Sequence, residues 1–194
     1  MIFSYLKRSK AWWCAGFLCL LLSACATPPQ VRTGAAGSAF ERTGRFALSV
    51  NNFNGKQDAV QGGFVWKDGG RVLVLDLLNP LGNTLARVQV LPGQATLTRS
   101  NGATEQAEHP DALVELVLGS PIPVAALRDW LQGRTGGAQV VGLEKNDSGQ
   151  PTSFNQNGWR VQLSRYDALG PTLLQLNRND ANRTISVRLA VNSN

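Results

Sequence analysis

Residues 109–133 read "HPDALVELVLGSPIPVAALRDWLQG", and their apolar spacing differs from that of every segment around them. Leu113, Leu116 and Val117, then Leu127, Trp130 and Leu131, recur at intervals of three and four, which gathers them on one face of a helix. Asp111 is expected to cap the first helix, Pro121 and Pro123 to interrupt or start helices, and Gly133 to stand at the C′ position. Two short amphipathic helices are therefore predicted inside a chain that otherwise alternates with period two.

Upstream, "GRFALSV" (44–50) puts Phe46, Leu48 and Val50 on one face, and "DAVQGGFVW" (58–66) does the same with Val60, Phe64 and Trp66. "RVLVLDLL" (71–78), carrying Leu73 and Leu75, is apolar on both faces near its middle and reads as a central strand after a "DGG" hairpin. "TLARVQVL" (84–91) and "QATLTRS" (94–100) follow, separated by "PG" and closed by "NG" at 101 and 102. Downstream of the helices the strands resume with "AQVVGLEK" (138–145), "GWRVQLSRY" (158–166), "PTLLQLNR" (171–178) and "RTISVRLAV" (183–191), for eight to eleven strands in all. A single antiparallel sheet of that size curls, and its apolar concave face needs a cover. The inserted helices are the available cover, so an incomplete barrel plugged by a helical hairpin is expected, with a two-sheet sandwich as the alternative.

The amino terminus sets the address. Lys7, Arg8 and Lys10 precede an apolar run, "AWWCAGFLCLLL" (11–22), too short for a comfortable transmembrane helix, and small residues follow. The ending "LLSAC" (21–25) resembles the bacterial lipobox, which implies cleavage before Cys25 and acylation of its thiol and new amino group. An ordinary signal peptide followed by a free cysteine is the alternative. Cys14 and Cys19 leave with the signal, so the mature chain keeps one cysteine and no internal disulfide. Ala26 rather than Asp follows the cysteine, and an Asp there is the common inner-membrane retention signal; the outer membrane is the expected address. Residues 1–24 are thus read as signal peptide and 25–40 as lipidated cysteine and Pro/Gly-rich tether, with a short helix around "SAFERT" (38–43). Residues 41–194 are read as one domain.

Composition excludes several functions. Once the three signal cations are removed, sixteen Lys and Arg face thirteen Asp and Glu, a balance of +3 with no basic run, so nucleic acid is not an expected partner. The one histidine, His109, stands beside a turn; there is no nucleophile elbow and no cluster with metal-ligand spacing. No catalytic residue, metal or cofactor is expected. Asp76 is an acid in an apolar strand, read as partnered by a neighbouring Arg rather than as a perturbed catalytic carboxylate. The apolar stripe of the sheet is by default a packed core, with a ligand cavity as the alternative.

Between two strands lies "DLLNPLGNT" (76–84), where Asn79, Pro80 and Gly82 suit a reversal but Leu81 does nothing for it. That turn belongs to an ordered set: "LSAC", "GRFAL", "GGFVW", "LLNPLG", "GSPIPVAALRDWLQG" and "NQNGWRVQLSRYD". Together, over nearly the whole mature chain, they resemble the LolB family of outer-membrane lipoprotein receptors. The resemblance implies an open antiparallel β half-barrel closed by an α-helical lid around an apolar cavity for acyl chains. It implies as partners the periplasmic carrier LolA, lipoprotein cargo held by its acyl chains, and outer-membrane lipid. It also carries the family's functional loop leucine onto Leu81, with Asn79, Pro80 and Gly82 as its loop. Phe46, Leu48, Phe64, Trp66, Leu73, Leu75, Leu127, Trp130 and Leu131 are expected in the cavity or lid, in a protein acting as a monomer. Exposing an acyl chain to water costs about 0.8 kcal/mol per CH₂, so transfer between apolar sites needs no nucleotide but does need shelter. A scaffolding lipoprotein with a filled core, or an enzyme acting on envelope lipid or glycan, are the other readings.

Overall fold

The computed structural model describes residues 39–193; the signal segment, Cys25 and all of the tether except Ala39 and Phe40 lie outside the described residues. The elements run β1 (Phe40–Asn52), β2 (Gln57–Asp68), β3 (Leu73–Leu78), β4 (Thr84–Leu91), β5 (Gln94–Arg99), β6 (Thr104–Ala107), α1 (Pro110–Leu118) and α2 (Val124–Trp130). They continue with β7 (Val141–Lys145), β8 (Pro151–Gln156), β9 (Trp159–Asp167), β10 (Gly170–Asp180) and β11 (Arg183–Val191). All the strands join one antiparallel sheet in the order β6-β5-β4-β3-β2-β1-β11-β10-β9-β8-β7. The sheet is open, since β6 and β7 are edges that do not pair with each other. The chain crosses from one edge to the other through α1 and α2, which is why the helices cover a sheet face rather than extend it.

Alternation along each strand does the sorting. Phe46, Leu48 and Val50 of β1, Phe64 and Trp66 of β2, and Leu73, Leu75 and Leu77 of β3 are all buried, in one core cluster with Leu113, Leu127 and Trp130 of the helices. Gly62 permits a close approach of β3 and of the Phe46 ring: a Cβ there would stand 2.1 Å from the Leu78 carbonyl oxygen and 3.0 Å from the ring. Gly62→Ala is therefore expected to destabilise the domain by about 3 kcal/mol, the upper end for overpacking. Neighbouring Gly63→Ala, whose methyl would meet the Leu78 side chain at 3.3 and 3.4 Å and the Gly44 carbonyl oxygen at 3.5 Å, is expected to cost much less. Urea unfolding of the two variants checks the contrast.

Three local expectations are corrected. Residues 40–43 are strand, not helix, because pairing with β2, as in Arg42 opposite Trp66, supplies backbone partners that a six-residue helix lacks. Asp111 does not cap α1: His109 is the N-cap, with Pro110 in the first turn, and the Asp111 carboxylate instead accepts the Ala125 N–H of α2 at 3.0 Å. Gly133 lies beyond Leu131, the C-cap of α2, in a following turn where its N–H donates to the Trp130 carbonyl.

Candidate functional site

The turn between β3 and β4 is pinned from inside. The Asn79 side-chain oxygen accepts the N–H groups of Leu81 (2.9 Å) and Asn83 (3.0 Å), while its own backbone N–H donates to the Asn83 carbonyl and its carbonyl accepts the Gly82 N–H, each at 2.9 Å. Gly82 adopts φ +90, which a side chain would resist. Leu81 is consequently held away from the core, 87% exposed. Below it, Asp76 faces Arg87 across the ladder in a bidentate pair at 2.6 and 2.9 Å, so the acid in the apolar strand has the Arg partner expected of it. The antiparallel order places a second exposed apolar tip at the same end of the sheet: Phe53, 68% exposed, in the turn between β1 and β2. Its place in "NNFNG" parallels that of Leu81 in "NPLGN", a signal available in the sequence but not used.

At the interior, the sheet and helices meet around one apolar void. Phe46, Phe64, Trp66, Leu75, Leu127 and Leu131 line it, as do Leu77, Val114, Leu118, Ile122, Val124 and Leu189, which the sequence reading did not single out. Leu77 and Leu189 continue the period-two pattern of their strands, and Val114 and Leu118 stand four apart on α1, so the signal was there. Leu48, Leu73 and Trp130 are buried in the same core without lining the void. The void measures about 30 Å³, a little above the roughly 10–15 Å³ that one water needs. The side chains around it therefore leave little open space in this seam.

Trp130 has a different task. Its indole N–H donates to Gln156 at 2.8 Å, and its ring meets Phe154 edge-on at 6.0 Å between centroids. Gln156 in turn donates to the carbonyls of Thr135 (2.6 Å) and Ala138 (2.8 Å), so α2 and the loop after it are fastened to β8. The other flank of α2 is clipped to the end of β2: Arg128 donates to both Asp68 oxygens at 2.6 Å and also to the Gly70 carbonyl. Burial pushes the Asp68 carboxyl up, but the Arg128 and Gly70 hydrogen bonds outweigh it and hold the group below its ordinary value. Trp66, in contrast, keeps a buried indole N–H with no partner among the described residues.

The sequence profile of the family described as "Outer membrane lipoprotein LolB" matches residues 38–193. The outer-membrane lipoprotein LolB of Bordetella petrii is 53% identical over 185 residues, covering 95% of this chain and 92% of the relative. That of Cupriavidus necator is 36% identical over 191 residues, covering 95% and 96%. Among solved structures, a LolA-superfamily protein of Nitrosomonas europaea aligns at a TM-score of 0.42 and 8% identity, over 79% of this chain and 84% of its own. On the profile match and on relatives aligned along almost its whole length, the chain belongs to the LolB family of outer-membrane lipoproteins.

Proposed function

We propose that this protein, anchored through acylated Cys25, receives lipoproteins from a periplasmic LolA-type carrier. It shelters their acyl chains between sheet and helices, and it passes them into the outer membrane without nucleotide hydrolysis. The observation that carries the reading is the apolar seam between sheet and helices, lined from both sides by side chains such as Phe64, Leu75 and Leu127. A cargo chain is far larger than the 30 Å³ void, so acceptance requires α2 to lift, and Asp68–Arg128 is the contact that must open. Apart from that ion pair, the movement exchanges one apolar neighbour for another, so its cost is small beside the tens of kcal/mol of acyl exposure it avoids. The unpartnered Trp66 N–H suits a cargo ester or amide carbonyl, since an unsatisfied buried donor costs about 1–3 kcal/mol. The family is one of lipoproteins and not of enzymes.

Reconstituted transfer tests the proposal: carrier loaded with a lipoprotein is mixed with the receptor, and cargo movement is followed by pull-down. Wild-type receptor is expected to take the cargo. Leu75→Trp, which fills the seam, is expected to weaken acceptance about tenfold, the equivalent of ~1.4 kcal/mol, while overpacking lowers stability by about 1–3 kcal/mol and leaves the domain folded, as its thermal midpoint checks. Unchanged acceptance by Leu75→Trp would remove the seam from the mechanism. The smallness of the void favours one second reading, a scaffolding lipoprotein with a filled core. An apolar fluorescent probe that the Cys25→Ala protein fails to take up would support that alternative.

A further inference from the structure

A groove of about 510 Å³ lies beside the Leu81 loop, on the side of the sheet turned away from the helices. The loop bounds it with Pro80 and Gly82, and β1 and β11 contribute Arg45, Ala47, Arg188 and Ala190. The strand register explains its chemistry. Arg45 stands opposite Ala190 and Ala47 opposite Arg188, so the two arginines occupy a diagonal of the ladder, each facing a methyl group. Diagonal neighbours of this kind lie within reach of long side chains, and two like charges so placed repel unless an anion sits between them. No carboxylate is found among the described residues lining the groove, and neither arginine has an ion-pair partner among the described residues. Every other cation on strands β1 to β5 is paired: Arg42 with Asp167, Lys67 with Glu41, Arg87 with Asp76 and Arg99 with Glu105.

We infer that this groove holds the phosphate of an anionic phospholipid in the bilayer, with Arg45 and Arg188 donating to its oxygens. The alanine floor leaves space for the headgroup, and the exposed tips Leu81 and Phe53 project at the same end of the sheet. One lipid clasped beside the loop sets the angle at which Leu81 meets the hydrocarbon. The inference rests on the membrane reading of Leu81 for this orientation, but its charge dependence is measured separately.

The test is vesicle co-sedimentation of the mature chain carrying Cys25→Ala, which has no acyl anchor of its own. Vesicles of phosphatidylcholine alone are compared with vesicles containing phosphatidylglycerol. Wild type is expected to prefer the anionic vesicles, and Arg45→Gln/Arg188→Gln to lose roughly 10- to 30-fold of that binding, as two cations at a membrane surface contribute. Binding to the neutral vesicles should not change. The control Arg71→Gln/Lys145→Gln removes two exposed cations outside the groove and is expected to change binding less than about twofold if local placement matters. An equal loss in that control, or retention of the preference by the groove variant, overturns the inference. So does saturable binding of inorganic phosphate that depends on both arginines in a protein with no vesicle preference, which would make a soluble anion the occupant. Leu81→Glu, run in parallel, is expected to weaken binding to both vesicle types; if it does not, the loop reading fails while the arginine comparison still reports on the groove.

Discussion

Leu81→Glu is expected to leave folding and cargo acceptance intact and to reduce delivery into a bilayer by at least about 30-fold. The size follows from burial: a leucine side chain moved from water into hydrocarbon gains about 2 kcal/mol, and every 1.4 kcal/mol is tenfold. A carboxylate at the same place gains nothing and resists entry. The selectivity follows from geometry. Leu81 is 87% exposed and its loop is closed by Asn79 through four hydrogen bonds, so exchanging the side chain disturbs neither core nor turn. Delivery is read as cargo floating with liposomes, acceptance as cargo captured from loaded carrier, and folding as the thermal midpoint. Leu81→Phe should retain most delivery, because apolarity rather than shape is what the bilayer reads. A lowered midpoint with lost acceptance would place Leu81 in the core, and undiminished delivery would end the membrane assignment of the loop.

Where turn chemistry brackets a strand, the sequence was enough. β4 spans Thr84–Leu91, the run read between "NPLGN" and "PG", because Pro and Gly set backbone angles that no strand continues through. β6 and β8 escaped notice: "TEQA" is four residues long, and "PTSFNQ" buries only Phe154 and Gln156, so neither shows an apolar stripe. Periodicity also assigns a face without assigning a depth. Leu73 and Leu75 share one face of β3, but of the two only Leu75 reaches the void. Asp111 illustrates a third limit. Its place before an apolar run suits a cap, but the unpaired N–H it satisfies belongs to the next helix, 14 residues on, where only the packing of α1 against α2 brings it. The groove beside the loop was invisible for the same reason, as Arg45 and Arg188 become neighbours through a register between the first and last strands.

A loss of stability at least as large as that of Gly62→Ala is expected from Asp167→Ala. Arg42 points inward from β1 with its side chain wholly buried, and β11 ends at Val191, opposite Gly44, so nothing of that strand stands beside Arg42. The curl of the sheet brings the turn between β9 and β10 across the gap, and Arg42 donates to the two Asp167 oxygens at 2.7 and 2.9 Å. Asp167 also accepts the N–H groups of Leu169 (2.8 Å) and Gly170 (3.0 Å), which shape that turn. Removing the carboxylate strands a buried guanidinium whose Nε already lacks a partner. Breaking a buried pair from one side costs about 3–5 kcal/mol, and the lower end applies because Asp167 retains 17% exposure. Arg42→Met, which removes the charge and keeps the bulk, is expected to cost clearly less, and the double variant to resemble Arg42→Met rather than the sum. The pair also carries a pH signature. The Arg42 hydrogen bonds outweigh burial and hold the Asp167 carboxyl below its ordinary 3.8, so its contribution is complete above that value and is lost as pH falls through the lower folded value. Urea midpoints measured downward from neutral pH should therefore fall more steeply below about pH 4 in wild type than in Asp167→Ala. If Arg42→Met proves as damaging as Asp167→Ala, the clasp acts through packing of the arginine stem, and the stranded charge is not what makes the carboxylate indispensable.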